Sequence, residues 1–225
     1  GVQTCALPIY AVVKIHQPEK DSDWQQAREA LRFQEAFVLQ ATLLDQRAKA
    51  KAQAATPRPA KAGGFLEQLD ARLPFTLTED QVLTGSEISV DLQSTHPMNR
   101  LVQGEVGSGK TLVALRAMLQ VADSGGQAAL LAPTEVLAQQ HHRTITKQLG
   151  DLANKGTLGA HNEAISVELL TGSMSAGEKK EIQARVKSGE VDLLIGTHAL
   201  LSDAVGFKDL ALIIIDEQHR FGVEQ

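Results

Sequence analysis

The chain is predicted to be a doubly wound α/β protein: a mostly parallel sheet with helices on both faces, preceded by one long helix. Three observations predict it. Short apolar runs alternate with amphipathic stretches after the first quarter of the chain. The runs lack period-two alternation, as expected for strands buried on both faces. A glycine-rich turn stands where an apolar run would hand over to a helix. An apolar content of 43% allows an ordinary core, and 4% aromatics makes that core one of Leu, Val, Ile and Ala.

Taken in order, Gly1 to Ile9 have no initiator Met, no basic region and too short an apolar run for a secretory signal. They read as a truncation or sequencing remnant and are set aside. Residues 23–55 carry Leu31, Phe33, Phe37, Val38, Leu39, Leu43 and Leu44 among strong helix formers, with Asp21, Ser22 and Asp23 as N-cap candidates. The Pro- and Gly-rich stretch Thr56-Pro57-Arg58-Pro59-Ala60-Lys61-Ala62-Gly63-Gly64 reads as a linker and a domain boundary. Thr78 is placed to cap a helix, with Gln81 completing a capping box. Residues 100–103 are expected to run as a strand into the glycine turn, and 111–121 to follow it as a helix. Strands are then expected at 128–132, 167–170, 191–195 and 210–215, with helices at 135–148 and 176–187. Residues 150–163, rich in Gly, Asn and Ala, read as a surface insertion loop. No internal repeat is visible.

Bulk properties exclude some functions. No apolar run approaches the roughly 18 residues of a membrane span. The single Cys5 rules out an internal disulfide, and a reducing cytoplasm is the simplest compartment. A net charge of −5 argues against a broadly basic nucleic-acid coat. It leaves room for a local groove, because helix N-termini and backbone amides bind phosphates without Lys or Arg.

Gly104-Glu105-Val106-Gly107-Ser108-Gly109-Lys110-Thr111 fits the phosphate-binding pattern G-x-x-x-x-G-K-[ST] at every fixed position. Gly107 and Gly109 permit the tight turn that points backbone amides at phosphates, Lys110 offers charge to the β- and γ-phosphates, and the Thr111 hydroxyl suits Mg²⁺. Gly104 and Ser108 belong to the same grip. The apolar run 210–215 ends in Asp216-Glu217-Gln218-His219. At the carboxyl tip of a buried strand, Asp216 suits water-mediated Mg²⁺ coordination and Glu217 can orient the attacking water. Together these motifs imply hydrolysis of a nucleoside triphosphate with Mg²⁺. Phe75 and Gln81 lie just upstream, and the Gln81 amide, one donor and one acceptor face, fits an adenine edge; the capping role is the stronger reading. Thr134, Thr171-Gly172 and Thr197-His198 stand at three strand ends, where each Thr is either a plain cap or part of a track of phosphate contacts. His198 and His219 sense nucleotide or DNA, or serve as structural hydrogen-bonders. His16, His96, His141, His142 and His161 show no metal-ligand spacing.

These residues in this order resemble superfamily 2 helicases: Gln81, then Gly104 to Thr111, Ala132 to Leu137, Thr171-Gly172, Gly196-Thr197-His198, and Asp216-Glu217-Gln218-His219. His96-Pro97-Met98-Asn99-Arg100 and Arg220-Phe221-Gly222-Val223 are similar to the bacterial branch that reverses stalled replication forks. Ser108 and Gln218 favour that branch over the transcription–repair coupling translocases, while Glu105 stands where Asp is expected. The resemblance implies that residues 65–225 are the first RecA-like motor domain and that 10–64 are a connecting helical segment with its linker. It implies an ATP-dependent DNA helicase in a bacterial cytoplasm, acting on branched double-stranded DNA at forks and Holliday junctions in recombination, DNA damage and repair. Its partners would be a second motor domain, carrying an arginine finger, and a DNA-splitting wedge domain of the same full-length protein. Phe75 and Gln81 become nucleotide contacts; Thr134, Thr171, Gly172, Thr197 and His198 become DNA contacts. A coupling-type translocase, a small-molecule P-loop kinase and an inactive nucleotide-binding module are the alternatives.

Overall fold

A computed structural model describes residues 8–153, 164–201 and 205–217. The chain forms two compact units, residues 1–54 and 55–225.

The first unit is a helix pair, α1 (Pro8–His16) and α2 (Asp21–Ala52). Pro8 opens α1 at the position where its missing N–H costs nothing. Pro8 and Ile9 are therefore part of a helix, although they fall in the stretch the sequence reading set aside. Ala11 and Ala27 are the buried apolar residues described in this unit. The turn between the helices is tied by Lys14, whose Nζ lies 2.8 Å from Glu19 and 3.2 Å from Asp23. Asp23 also accepts the Glu19 backbone N–H at 3.2 Å.

The second unit carries α3 (Phe65–Asp70), α4 (Glu79–Leu92), α5 (Lys110–Asp123), β1 (Gln127–Leu131), α6 (Glu135–Leu149), β2 (Val167–Leu170), α7 (Ala176–Ser188), β3 (Leu193–Gly196) and β4 (Leu210–Ile215). The four strands form one parallel sheet in the order β2-β3-β1-β4. Ala128, Leu130, Leu193, Ile195 and Leu212 face one way and pack with α5 and α6. Ala129, Leu131, Leu170 and Leu194 face the other way, with Ile182 and Val186 of α7. The expected fold class is the one observed. Because every strand runs in the same direction, all the strand ends that carry candidate site residues lie along one edge.

Three expectations are corrected. Residues 100–103 form no strand. Leu101 stays 68% exposed, and Arg100 turns to α4, where Nε and Nη2 reach Asp91 at 2.9 and 2.7 Å and Nη1 reaches Glu87 at 2.5 Å. The stretch 56–64 is no free tether: the Arg58 N–H donates to the Leu92 carbonyl at 2.7 Å, and its buried guanidinium reaches Asp209 at 2.7 Å. Gln120, itself buried in α5, donates to the Arg58 carbonyl at 2.7 Å. Finally, the segment read as a surface loop from Gly150 begins as a 3₁₀ turn, Gly150–Ala153, with Leu152 buried; residues 154–163 lie outside the described residues.

Candidate active site

The phosphate-loop backbone has the conformation its glycines were read for. Gly107 and Gly109 have φ of +86° and +85°, a region that costs glycine nothing and other L-residues much. Gly109 is the N-cap of α5 and offers no capping side chain, so the first-turn N–H groups of a 14-residue helix face outward, where an anion is favoured. Lys110 folds back over the loop, its Nζ donating to the Gly104 carbonyl at 2.7 Å and the Glu105 carbonyl at 2.8 Å. A Cβ at Gly104 would stand 2.6 Å from Ser108 Oγ, so the Ser108 hydroxyl would have to turn away to admit one. Thr111 sits half-buried in the first turn of α5.

Gln81 joins a neighbouring helix to this loop. Thr78 and Gln81 form the full capping box of α4: Thr78 Oγ1 accepts the Gln81 N–H at 3.3 Å, and Gln81 Oε1 accepts the Thr78 N–H at 3.0 Å. The same side chain donates from Nε2 to the Ser108 carbonyl at 2.9 Å. A Cβ on Gly109 would collide with that Nε2. Gln81 therefore braces the loop as well as capping its helix. An amide has two donor hydrogens and two acceptor lone pairs, so one of each remains for a base edge. Phe75 stands ahead of α4, 52% exposed.

At the end of β4, the Asp216 N–H donates to the Leu131 carbonyl at 2.9 Å and prolongs the β1–β4 ladder by one residue. By alternation Asp216 shares the face of Leu212 and Ile214, the face covered by α5 and α6. There His141 of α6 meets it, Nε2 lying 2.8 Å from Asp216 Oδ2, with the two side chains 14% and 33% exposed. Next comes Glu217, exposed, with φ of +51°. It is the one described non-glycine residue in the left-handed region, a conformation that costs such residues about 1–3 kcal/mol and clusters at functional sites. Gln218 and His219 lie outside the described residues.

The Thr-bearing edges resolve differently from one another. Thr134 caps α6, accepting the Leu137 N–H at 3.3 Å. Thr171 is 1% exposed, its hydroxyl 3.3 Å from Ser173 Oγ, and Thr197 is 9% exposed. Glu135 reaches across from α6 to accept the Ser173 N–H at 2.9 Å, and Lys179 of α7 holds the Gly172 carbonyl at 2.5 Å. The Ser173 hydroxyl and N–H hold the Glu135 carboxyl below the usual carboxylate range. His198 is exposed at the start of the 3₁₀ turn His198–Leu201. Register places Leu131, Leu170, Gly196 and Ile215 on one rung, so Ala132, Thr171, Thr197 and Asp216 follow as the next.

Sequence reasoning missed His141, Glu135 and the brace made by Gln81. The signal for His141 was its spacing: with Ala138 and Ile145 it lies on the sheet-facing stripe of the helix capped by Thr134. Its partner could not be read without knowing that β4 lies beside β1. Among the described residues no cluster of three His, Cys, Asp or Glu is arranged to hold a metal by itself, and no helix is long and apolar enough to cross a membrane.

A glycine-turned phosphate cradle at a helix start, with an acidic pair at a strand end of the same parallel sheet, defines an α/β domain of the P-loop nucleotide-hydrolase class. Within that class, the DEAD/DEAH box helicase family model matches residues 81–225, and the chain belongs to that family. It is 50% identical over 215 residues to the ATP-dependent DNA helicase RecG of Mycobacterium bovis, covering 96% of this chain and 29% of the relative. It is 44% identical to the RecG of Synechocystis, with 96% of this chain and 24% of the relative covered. Among solved structures it is similar to RecG bound to a three-way DNA junction, with a TM-score of 0.81, 38% identity and coverage of 96% of this chain and 28% of that one. The chain thus spans less than a third of the length of the relatives it matches.

Proposed function

We propose that the chain is the first motor portion of an ATP-dependent DNA helicase that acts on branched DNA, as in stalled forks and Holliday junctions. The observation that carries this reading is the braced phosphate loop: the Gln81 amide, the left-handed glycines and Lys110 form one grip at the mouth of α5. Lys110 would leave its two carbonyls for the β- and γ-phosphates of ATP, and Gly104, Gly107, Ser108 and Gly109 would present backbone to them. Thr111 and Asp216 are hard oxygen donors, few in number, as suits an ion that keeps several of its waters. Among the described residues Asp216 Oδ1 has no partner, which leaves it open to such a water. Mg²⁺ held by these two side chains would supply positive charge to offset that of the phosphates. Glu217 would orient the attacking water from its left-handed position.

DNA would be met along the edge formed by Thr134, Thr171, Gly172, Thr197 and His198. Since the Thr171 and Thr197 side chains are buried, phosphates there would meet backbone N–H groups rather than these hydroxyls. The relatives' greater length is where a second motor domain and a wedge domain belong. An arginine from the second motor domain would contribute on the order of 10³-fold to turnover. Residues 10–64 would connect wedge to motor, and the whole would work in the bacterial cytoplasm.

Steady-state hydrolysis with and without forked DNA tests the reading. The 225-residue chain is expected to bind ATP, turn it over slowly and unwind nothing. A Lys110→Ala variant should lose about 10- to 100-fold in nucleotide affinity, the worth of a charged hydrogen-bond donor. Unchanged affinity in that variant would refute the loop as the phosphate grip, and robust DNA-stimulated turnover would refute dependence on a second motor domain.

A further inference from the structure

We infer that His141 is a positioning residue for the Asp216 carboxylate: it holds Oδ2 so that Oδ1 faces the nucleotide-bound metal. This rests on the proposed role of Asp216. His141 lies on the sheet-facing stripe of α6 with the buried residues Ala138 and Ile145, so its ring has little freedom to leave. Nε2 stands 2.8 Å from Asp216 Oδ2, and the His141 side chain is only 14% exposed. Asp216 sits one residue beyond the end of β4, beside a neighbour with strained backbone. The terminal torsion of an aspartate is broad unless a partner fixes it. Its backbone is fixed by one ladder bond to Leu131, while the direction of the carboxylate is fixed by the imidazole. One carboxylate oxygen is thereby committed to the protein, and the other remains for a metal-bound water. Partners of this kind orient metal-binding carboxylates, and their removal commonly costs 10–100-fold in metal affinity.

Among the described residues, neither His142 nor Thr134 substitutes for it. His142, the adjacent residue, has Nε2 3.4 Å from the Val167 carbonyl on β2, three strands away from β4 in the sheet order. The cap residue Thr134 is occupied with the Leu137 N–H. The pair also joins two segments far apart in sequence, α6 and the end of β4, so the orientation of Asp216 depends on the seating of α6 against the sheet.

The test uses the 225-residue chain, Mn²⁺ as a paramagnetic stand-in for Mg²⁺, and a non-hydrolysable ATP analogue. Mn²⁺ half-saturation is read by electron paramagnetic resonance, alongside analogue affinity in metal chelator. His141→Ala is expected to raise half-saturation by about tenfold, the lower end expected because the metal contact runs through water. Analogue affinity in chelator should not change. His141→Gln, which keeps a donor on a flexible stem, should recover at least half of that loss on a logarithmic scale. Asp216→Asn separates the two levels of the reading. If Asp216→Asn weakens Mn²⁺ binding and His141→Ala leaves it within twofold, the positioning role is wrong and the metal role of Asp216 stands. If Asp216→Asn has no effect either, both readings fall. Should His141→Ala not fold, the Gln variant decides, and a Gln variant that melts like the parent but binds Mn²⁺ tenfold more weakly with no hydrogen bond to Asp216 by NMR supports the inference. Parent-like Mn²⁺ binding in a Gln variant that lacks that bond overturns it.

Discussion

Helices α2 and α5 are built from similar residues and have opposite surroundings. In α5, Leu112, Val113, Leu115, Ala117, Met118, Leu119, Gln120 and Val121 are all buried, enclosed between α3, α4 and the sheet. Over its 32 residues α2 leaves Phe33 and Phe37 each 62% exposed and Leu44 60% exposed, with Phe33 and Phe37 stacked on one another at 6.2 Å. Propensity forms both helices, but only packing makes one of them a structural element whose loss is felt. The functional residues follow the same division. The proposed phosphate grip sits at the start of the enclosed helix, whose burial holds its N-terminus in place.

The largest effect should come from emptying the enclosed helix. Leu119→Ala, at a fully buried position, is expected to cost about 2–5 kcal/mol, read from denaturant unfolding. A loss below about 1 kcal/mol would mean α5 is far less enclosed than its burial indicates. Next is Gly109→Ala, which puts a Cβ on a residue with φ of +85° and into Gln81. The left-handed strain costs about 1–2 kcal/mol, and ATP affinity should drop alongside the melting temperature. Parent-like nucleotide binding in this variant would separate the Gln81 brace from the phosphate grip. Smaller still is Phe37→Ala on α2, expected to move stability by no more than about 0.5 kcal/mol, as at other exposed positions. A loss comparable to that of Leu119→Ala would abolish the contrast between the two helices.

The smallest effect is electrostatic and local to the α1–α2 turn. The Lys14 ammonium, chiefly by its hydrogen bond, holds the Asp23 carboxyl below its ordinary value of 3.8. A depressed carboxylate stabilises above that value and loses its contribution as pH falls through the folded-state pKa. Helix content followed by circular dichroism should therefore decline slightly from pH 5 to pH 2 in the parent. In an Asp23→Asn variant that part of the decline should vanish; an identical acid profile in both would show that the pair contributes nothing.

Much of this was legible in the residues. The strands read at 128–132, 167–170 and 210–215 appear within a residue of Gln127–Leu131, Val167–Leu170 and Leu210–Ile215. Short apolar runs that lack period-two alternation carry their own conformational signal, and the Thr78 capping box does too, because its partners are three residues apart. What failed were predictions that depended on a distant neighbour. Residues 100–103 have strand-forming side chains, yet Arg100 binds two acids of α4 instead. Arg58 reads as linker until Asp209, 151 residues later, is seen to receive it.

By itself, the sequence determined the fold class, the phosphate loop and the acidic strand end, because each is written in contiguous residues whose spacing is its geometry. The tertiary structure alone decided that Gln81 braces Ser108, that Thr171 and Thr197 turn inward, and that His141 meets Asp216. Those pairs lie 27 to 75 residues apart where they are hydrogen-bonded. Which strand lies beside which is settled by the packing of the whole sheet, and no local spacing encodes it.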